Sequence, residues 1–133
     1  MTKYDELYEL AKAARSSSYC PYSKISVGAA LLCESGKIYV GANIENSAYS
    51  PSICAERVAI FSAVNAGERK FKAIAVCGGA VGEEPKKLFS PCGVCRQVMA
   101  EFCDKDFKII FGTDTELSFS ELLPYGFNGE YLK

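Results

Sequence analysis

Two short stretches hold most of the residues in this chain that could do chemistry. One is Cys54-Ala55-Glu56, and the other is Pro91-Cys92-Gly93-Val94-Cys95. Each falls where a helical pattern begins. Cys92 and Cys95 would lie about 4.5 Å apart along a helix axis, on one face of its first turn, which suits two ligands of one tetrahedral zinc. Helix N-termini favour thiolate over thiol, because free backbone N–H groups and the dipole stabilise the anion. Thiolates from Cys54, Cys92 and Cys95 would leave one zinc position open for water, as a catalytic site requires. Glu56 is then not needed as a ligand and can take the proton of that water. Zinc with three thiolates carries net negative charge, which makes its water harder to deprotonate. Arg57 is the cation placed to offset this by holding the thiolates. Away from such a cluster, an arginine on a helix is simply a solvated side chain.

Composition narrows the alternatives. The 133 residues contain no histidine, which removes Ser-His-Asp and Cys-His pairs and the HExxH zinc motif. A proton shuttle must therefore be a carboxylate, lysine, tyrosine, thiol or metal-bound water. Lys and Arg number 15 against 16 Asp and Glu, a net charge of −1 that offers no broad electrostatic footprint for nucleic acid. The seven cysteines are an odd number, which argues against a closed disulfide framework and for a reducing, cytoplasmic setting. No segment has the roughly 18 consecutive apolar residues of a membrane span, and no signal-peptide pattern opens the chain. A hydrophobic content of 49% predicts a globular core, and the length predicts a single domain over residues 1–133.

The elements that must position these groups follow from periodicity. Thr2-x-x-Asp5 has the form of a capping box, and Leu7, Leu10, Ala11 and Ala14 then recur at helical spacing. Ile25 to Cys33 reads as a strand, Glu34-Ser35-Gly36 as a turn, and Lys37 to Gly41 as the second arm of a hairpin. Asn43 to Ser52 reads as loop. Cys54 to Ala66 predicts a helix with Ser52 as N-cap, and Phe71 to Cys77 a short apolar strand. Gly78 to Lys87 reads as loop. Ser90-Pro91 predicts the next helix start, with Ser90 as N-cap and Pro91 in first position. Strands follow at Lys108 to Phe111 and Leu117 to Phe119, then a short helix near Glu121 to Leu123 that Pro124 ends. The expected architecture is α/β, a mixed sheet with helices on both faces and parallel pairing in its second half.

Cys-Ala-Glu at one helix start and Pro-Cys-x-x-Cys at the next match the zinc deaminase signature, in its all-cysteine form. Further stretches, in order, are Pro21-Tyr22-Ser23, Val27-Gly28-Ala29-Ala30-Leu31, Gly41-Ala42-Asn43-Ile44-Glu45-Asn46, Tyr49-Ser50, Cys54-Ala55-Glu56-Arg57, Ser90 to Gln97 and Leu122-Leu123-Pro124. With these the chain resembles the small, homotetrameric, zinc-dependent cytidine deaminases over nearly its whole length. The resemblance implies a three-layer α/β/α fold with a five-stranded mixed sheet. It implies one zinc per chain on Cys54, Cys92 and Cys95, Glu56 as proton shuttle, and Arg57 neutralising ligand charge. The implied reaction is hydrolytic deamination of cytidine and deoxycytidine, in pyrimidine salvage. Asn43 and Glu45 would bind the ribose hydroxyls, and Ala55, Tyr49, Ile25 and Phe127 would lie near the substrate, Phe127 from a neighbouring subunit. Active sites would thus be shared within a homotetramer. Taken alone, Asn43 and Glu45 are also what a solvated loop contains, and Tyr49 and Phe127 suit ordinary packing. The family usually carries Phe where this chain has Ile25, so weaker or altered pyrimidine contact is expected there; stacking on an aromatic is worth about 1–3 kcal/mol.

Three other readings compete. A closed structural Cys₄ zinc needs a fourth ligand; Cys103 is about 12 Å along the helix from Cys95, which leaves Cys77. A thiol–disulfide oxidoreductase built on Cys92 and Cys95 leaves Cys54-Ala55-Glu56 without a task. A related deaminase would act on a blasticidin-like aminonucleoside, although Asn43-Ile44-Glu45-Asn46 resembles the nucleoside enzymes more. Cys20, Cys33, Cys77 and Cys103 read as small core residues.

Overall fold

In the computed structural model, which describes residues 4–133, a five-stranded sheet runs in the order β2-β1-β3-β4-β5. The chain order is α1 (Asp5–Ala14), a 3₁₀ turn (Arg15–Ser17), β1 (Ile25–Cys33), β2 (Ile38–Ala42), α2 (Ala55–Asn65) and β3 (Phe71–Ala80). Then come α3 (Gly93–Phe102), β4 (Lys108–Ile110), β5 (Glu116–Ser118), α4 (Phe119–Leu122) and a terminal 3₁₀ turn (Gly129–Leu132). The sheet is mixed as expected: β1 runs antiparallel to β2 and β3, β3 parallel to β4, and β4 antiparallel to β5.

The sheet is buried on both sides, and side-chain size decides which helix covers which face. Val27, Ala29, Leu31, Ile74, Val76 and Ile109 face α2 and α3 and pack on Ala59, Ile60, Ala63 and Met99. Ala30, Ala73, Ala75 and Cys77 face the other way, under Leu7, Tyr8 and Ala11 of α1. These small residues let α1 approach closely. At Gly28 the approach is extreme, since a Cβ there would run into the Ala11 carbonyl and the Arg15 nitrogen. Gly28→Ala is therefore expected to cost about 3 kcal/mol, from backbone that cannot yield. A urea unfolding midpoint unchanged from wild type would show that α1 can lift away freely. Gly41 plays the same part on the other face, where a Cβ would meet the Ala55 carbonyl at 2.6 Å and the Ala59 nitrogen at 2.7 Å.

Several boundaries differ from the sequence reading. Thr2 of the expected capping box lies outside the described residues, and the N-cap of α1 is Tyr4. Ser52 does not cap α2; Cys54 does, while the Ser52 hydroxyl accepts from the Asn46 N–H at 2.9 Å. Ser90 and Pro91 likewise stand outside α3, whose N-cap is Cys92. The third strand continues through Gly78 and Gly79 to Ala80, because Ile25, Ser26 and Val27 of β1 supply it with partners. Its register with β1 slips at Leu32/Cys33, a β-bulge that leaves Lys72 without an opposite residue and puts Phe71 on the same face as Ile74 and Val76. Phe119 begins α4, so β5 ends one residue earlier, at Ser118.

Candidate metal and active site

The starts of α2 and α3 meet on the large-residue face of the sheet. Cys54 and Cys92 each occupy an N-cap with extended backbone, so both sulfurs project beyond their helices rather than along them. Cys95 lies one turn into α3 and is fully buried. The Cys54 and Cys92 sulfurs are 3.8 Å apart, and those of Cys92 and Cys95 are 3.5 Å apart. Zinc–sulfur bonds of about 2.3 Å at tetrahedral angles space sulfurs by about 3.8 Å, so this trio fits one zinc ion. Among the described residues these are the ligating groups that converge so closely. Cys77 lies on the far side of the sheet beneath α1, which removes it as the fourth ligand of a closed site.

Local charge already favours a cation here. Hydrogen bonding from Cys95, with further donors in Arg57 and Cys92, brings the Cys54 thiol down to about 5 against the opposing effect of burial. The Cys95 thiol is pushed up, first because it bonds Cys54 and then because it is buried. Arg57 Nη2 sits 3.4 Å from the Cys54 sulfur. Burial works against the charged guanidinium, but the Cys54 and Cys95 sulfurs outweigh it and raise its pKa. Its Nε is buried with no hydrogen-bond partner.

Glu56, in the first turn of α2, is only 3% exposed. Burial, reinforced by the negative Cys54 sulfur, pushes its carboxyl up to about 7. It lines a cavity of about 330 Å³ together with Cys54, Ala55, Arg57 and Cys92, and with Asn43 and Glu45. That volume falls within the range of small-molecule sites, about 300–1,000 Å³. An open three-sulfur site and a poised carboxyl on one such cavity are the parts of a zinc hydrolase.

Residues 1–112 match the family model for the cytidine and deoxycytidylate deaminase zinc-binding region. The chain belongs to this deaminase family. A cytidine deaminase of Sporosarcina psychrophila is 48% identical over 96% of this chain and 93% of its own. The crystal structure of a Burkholderia pseudomallei cytidine deaminase superposes with a TM-score of 0.83 at 43% identity, over 96% of this chain and 100% of that one. A blasticidin-S deaminase of Bacillus cereus is more distant, 31% identical over 90% of this chain and 88% of its own. The sheet and its covering helices are thus the deaminase fold, this family is a zinc-binding one, and the sulfur trio is a cluster that could hold one such ion.

The other deaminase positions are distributed unevenly. Asn43 is buried, and its side chain accepts from the Val27 N–H and donates to the Ile25 carbonyl, both at 2.8 Å. It therefore anchors β1 as well as facing the cavity. The Glu45 carboxylate accepts from the backbone N–H groups of Tyr22 and Ser23, each at 3.1 Å, and from the Ser23 hydroxyl. The Ser23 hydroxyl is the main reason its pKa is lowered, so Glu45 is an anion at neutral pH. Ile25 does not line the cavity and packs half-buried against the large core. Tyr49 lines a neighbouring hollow with Tyr22, Ser23, Glu45 and Ser52, its ring edge-on to Tyr22 at 6.1 Å. Phe127 lies elsewhere, 53% exposed and stacked on Tyr131 at 5.4 Å.

Val27, Ser52, Ile53, Phe89 and Ser90 also line the cavity, although the sequence reading gave none of them a place in the site. Two signals were available. Ile53 and Ser90 flank the metal motifs directly, and Val27 alternates with Ala29 and Leu31 onto the face that α2 covers.

Proposed function

We propose that the protein hydrolyses cytidine and deoxycytidine to uridine and deoxyuridine, releasing ammonia. The observation that carries this reading is Glu56, buried beside an open three-sulfur site in a nucleoside-sized cavity whose wall includes Asn43 and Glu45. When bound, zinc supplies a Lewis acid that lowers the pKa of a water at its open position. Glu56 accepts the proton of the water that attacks C4 of the pyrimidine, and passes it to N3. It then takes the proton of the new C4 hydroxyl and delivers it to the exocyclic amine, which leaves as ammonia as the C4 carbonyl forms. A group that stays near neutrality in its pKa serves both directions of transfer. Arg57 holds the Cys54 sulfur and offsets the charge of the ligands.

Glu45 and the free valences of the Asn43 amide are the ribose contacts in this reading. Glu45→Ala is expected to raise KM by about ten- to a hundredfold, the loss of a charged hydrogen bond, with a smaller change in kcat. An unchanged KM would remove Glu45 from substrate binding and leave it the task of holding Tyr22 and Ser23.

In the same reading residues 1–133 act as one catalytic domain. The protein is a cytoplasmic salvage enzyme that assembles as a homotetramer and delivers Phe127 into a neighbour's site. Among the described residues no helix is long and apolar enough to cross a membrane. The exposure of Phe127 and Tyr131 supports an intersubunit role, and sedimentation equilibrium tests it.

Ultraviolet absorbance of cytidine, followed beside zinc analysis, tests the activity. Loss of the cytidine band with about one zinc per chain is the expected outcome. Turnover of a blasticidin-type aminonucleoside in its place would move the substrate, and zinc without any turnover would overturn the reading.

A further inference from the structure

The three sulfurs are not held alike. Cys95 is fixed inside the first turn of α3 and fully buried. The Cys54 sulfur is met by Arg57. Cys92 is exposed and stands at the N-cap, so the direction of its sulfur depends on the backbone on either side of it.

One residue holds both flanking carbonyls. The Arg96 N–H donates to the Cys92 carbonyl at 3.0 Å, the first bond of the helix. The Arg96 side chain then turns back, and its Nε donates to the Pro91 carbonyl at 2.9 Å. Pro91 is fully buried, so its carbonyl depends on a protein donor. Nη1 of the same guanidinium donates to the Leu122 carbonyl at 2.9 Å, at the last residue of α4. The planar fork of arginine can serve two acceptors at once in fixed geometry, and the single ammonium of lysine cannot do so in the same way.

We propose that Arg96 is a positioning residue for the metal centre. It fixes the peptide between Pro91 and Cys92, aims the Cys92 sulfur toward those of Cys54 and Cys95, and couples that aim to the C-terminal segment through Leu122. The proposal rests on the zinc site and not on which pyrimidine is consumed. Gln97 supplies an internal control. Its Nε2 donates to the Phe127 carbonyl at 2.9 Å, which ties the same C-terminal segment to α3 without touching the backbone around Cys92.

The test compares wild type with Arg96→Gln, Arg96→Lys and Gln97→Ala by two readouts that need no substrate. One is zinc affinity by competition with a chromophoric chelator. The other is the thiolate-to-metal absorption of the cobalt(II)-loaded protein. Arg96→Gln is expected to weaken zinc binding by about ten- to a hundredfold, as loss of a group that orients a ligand does, and to reduce the thiolate absorption. Arg96→Lys should fall between this variant and wild type, and Gln97→Ala should match wild type in both readouts. Wild-type affinity and spectrum in folded Arg96→Gln would overturn the proposal. So would an equal loss in Gln97→Ala, which would assign the effect to C-terminal packing. Should Arg96→Gln fail to fold, Arg96→Lys decides: several-fold weaker zinc supports the proposal, and wild-type affinity overturns it. Absence of cytidine turnover would leave both readouts intact and would count against the substrate reading alone.

Discussion

Glu56→Gln is expected to keep its zinc and to lose turnover by at least about a thousandfold, the upper part of the range for general acid–base groups, because one carboxyl serves both proton transfers. The substitution keeps the shape of a side chain that is 3% exposed, so it should not disturb the packing around it. It removes the ability to accept a proton. Burial has pushed the carboxyl to about 7, which places it where neither protonation state is costly at neutral pH. The amide has one state only. It also removes a buried ionisable group, so the variant should melt no lower than wild type. Zinc analysis, a thermal melt and the cytidine assay on one preparation check this together. Zinc lost along with turnover would make Glu56 a ligand or a structural group instead. Turnover near that of wild type would place the proton transfers on another residue.

The second large effect is expected at Cys95. Cys95→Ala should bring zinc to a small fraction of one per chain and abolish turnover, because the two sulfurs left behind come from separate helices and are set at their N-caps. The substituted side chain is fully buried. The void left by one sulfur accounts for about 1 kcal/mol. Loss of metal linkage is larger, about 4 kcal/mol when free zinc stands a thousandfold above Kd. A chelator should therefore lower the melting temperature of wild type markedly and leave that of Cys95→Ala where it is. A wild-type melt indifferent to chelator would mean that the fold does not depend on the metal, and that the sulfur trio is held together by packing alone.

Much of the site was legible from residue types and spacing. Cys54, Glu56, Cys92 and Cys95 stand at two helix starts, where sulfur chemistry is favoured; the three sulfurs converge, and Glu56 lines the same cavity as Cys54 and Cys92. The first strand was legible to the residue, because its apolar run from Ile25 to Cys33 is closed by a Glu-Ser-Gly turn. Helix caps were not. Ser52 and Ser90 are better hydrogen-bond acceptors than cysteine and would be chosen on local grounds. The structure gives those positions to Cys54 and Cys92, where extended backbone lets each sulfur reach the other helix. The end of β3 was hidden for a similar reason, since Gly78 and Gly79 are poor strand residues held in place by partners on β1.

The cavity wall was the least legible part. Val27, Ile53 and Phe89 come from three separate segments; Ile53 adjoins a metal motif and Val27 alternates onto the covered face, but neither signal says that they meet, and Phe89 carries none. Ile25 and Tyr49 illustrate the converse, positions near substrate by resemblance that face the core and a neighbouring hollow. What the sequence by itself determined was the chemical inventory: three thiols in two motifs, Glu56 and Arg57 beside the first, Arg96 beside the second, and no histidine to compete. Such properties belong to side chains and to short-range helix geometry, so they survive without a fold. What only the tertiary structure decided was which sulfurs meet, that Arg96 turns back to the Pro91 carbonyl, and how far Glu56 is withdrawn from water. Those depend on distance and desolvation, and both are set by residues remote in the chain.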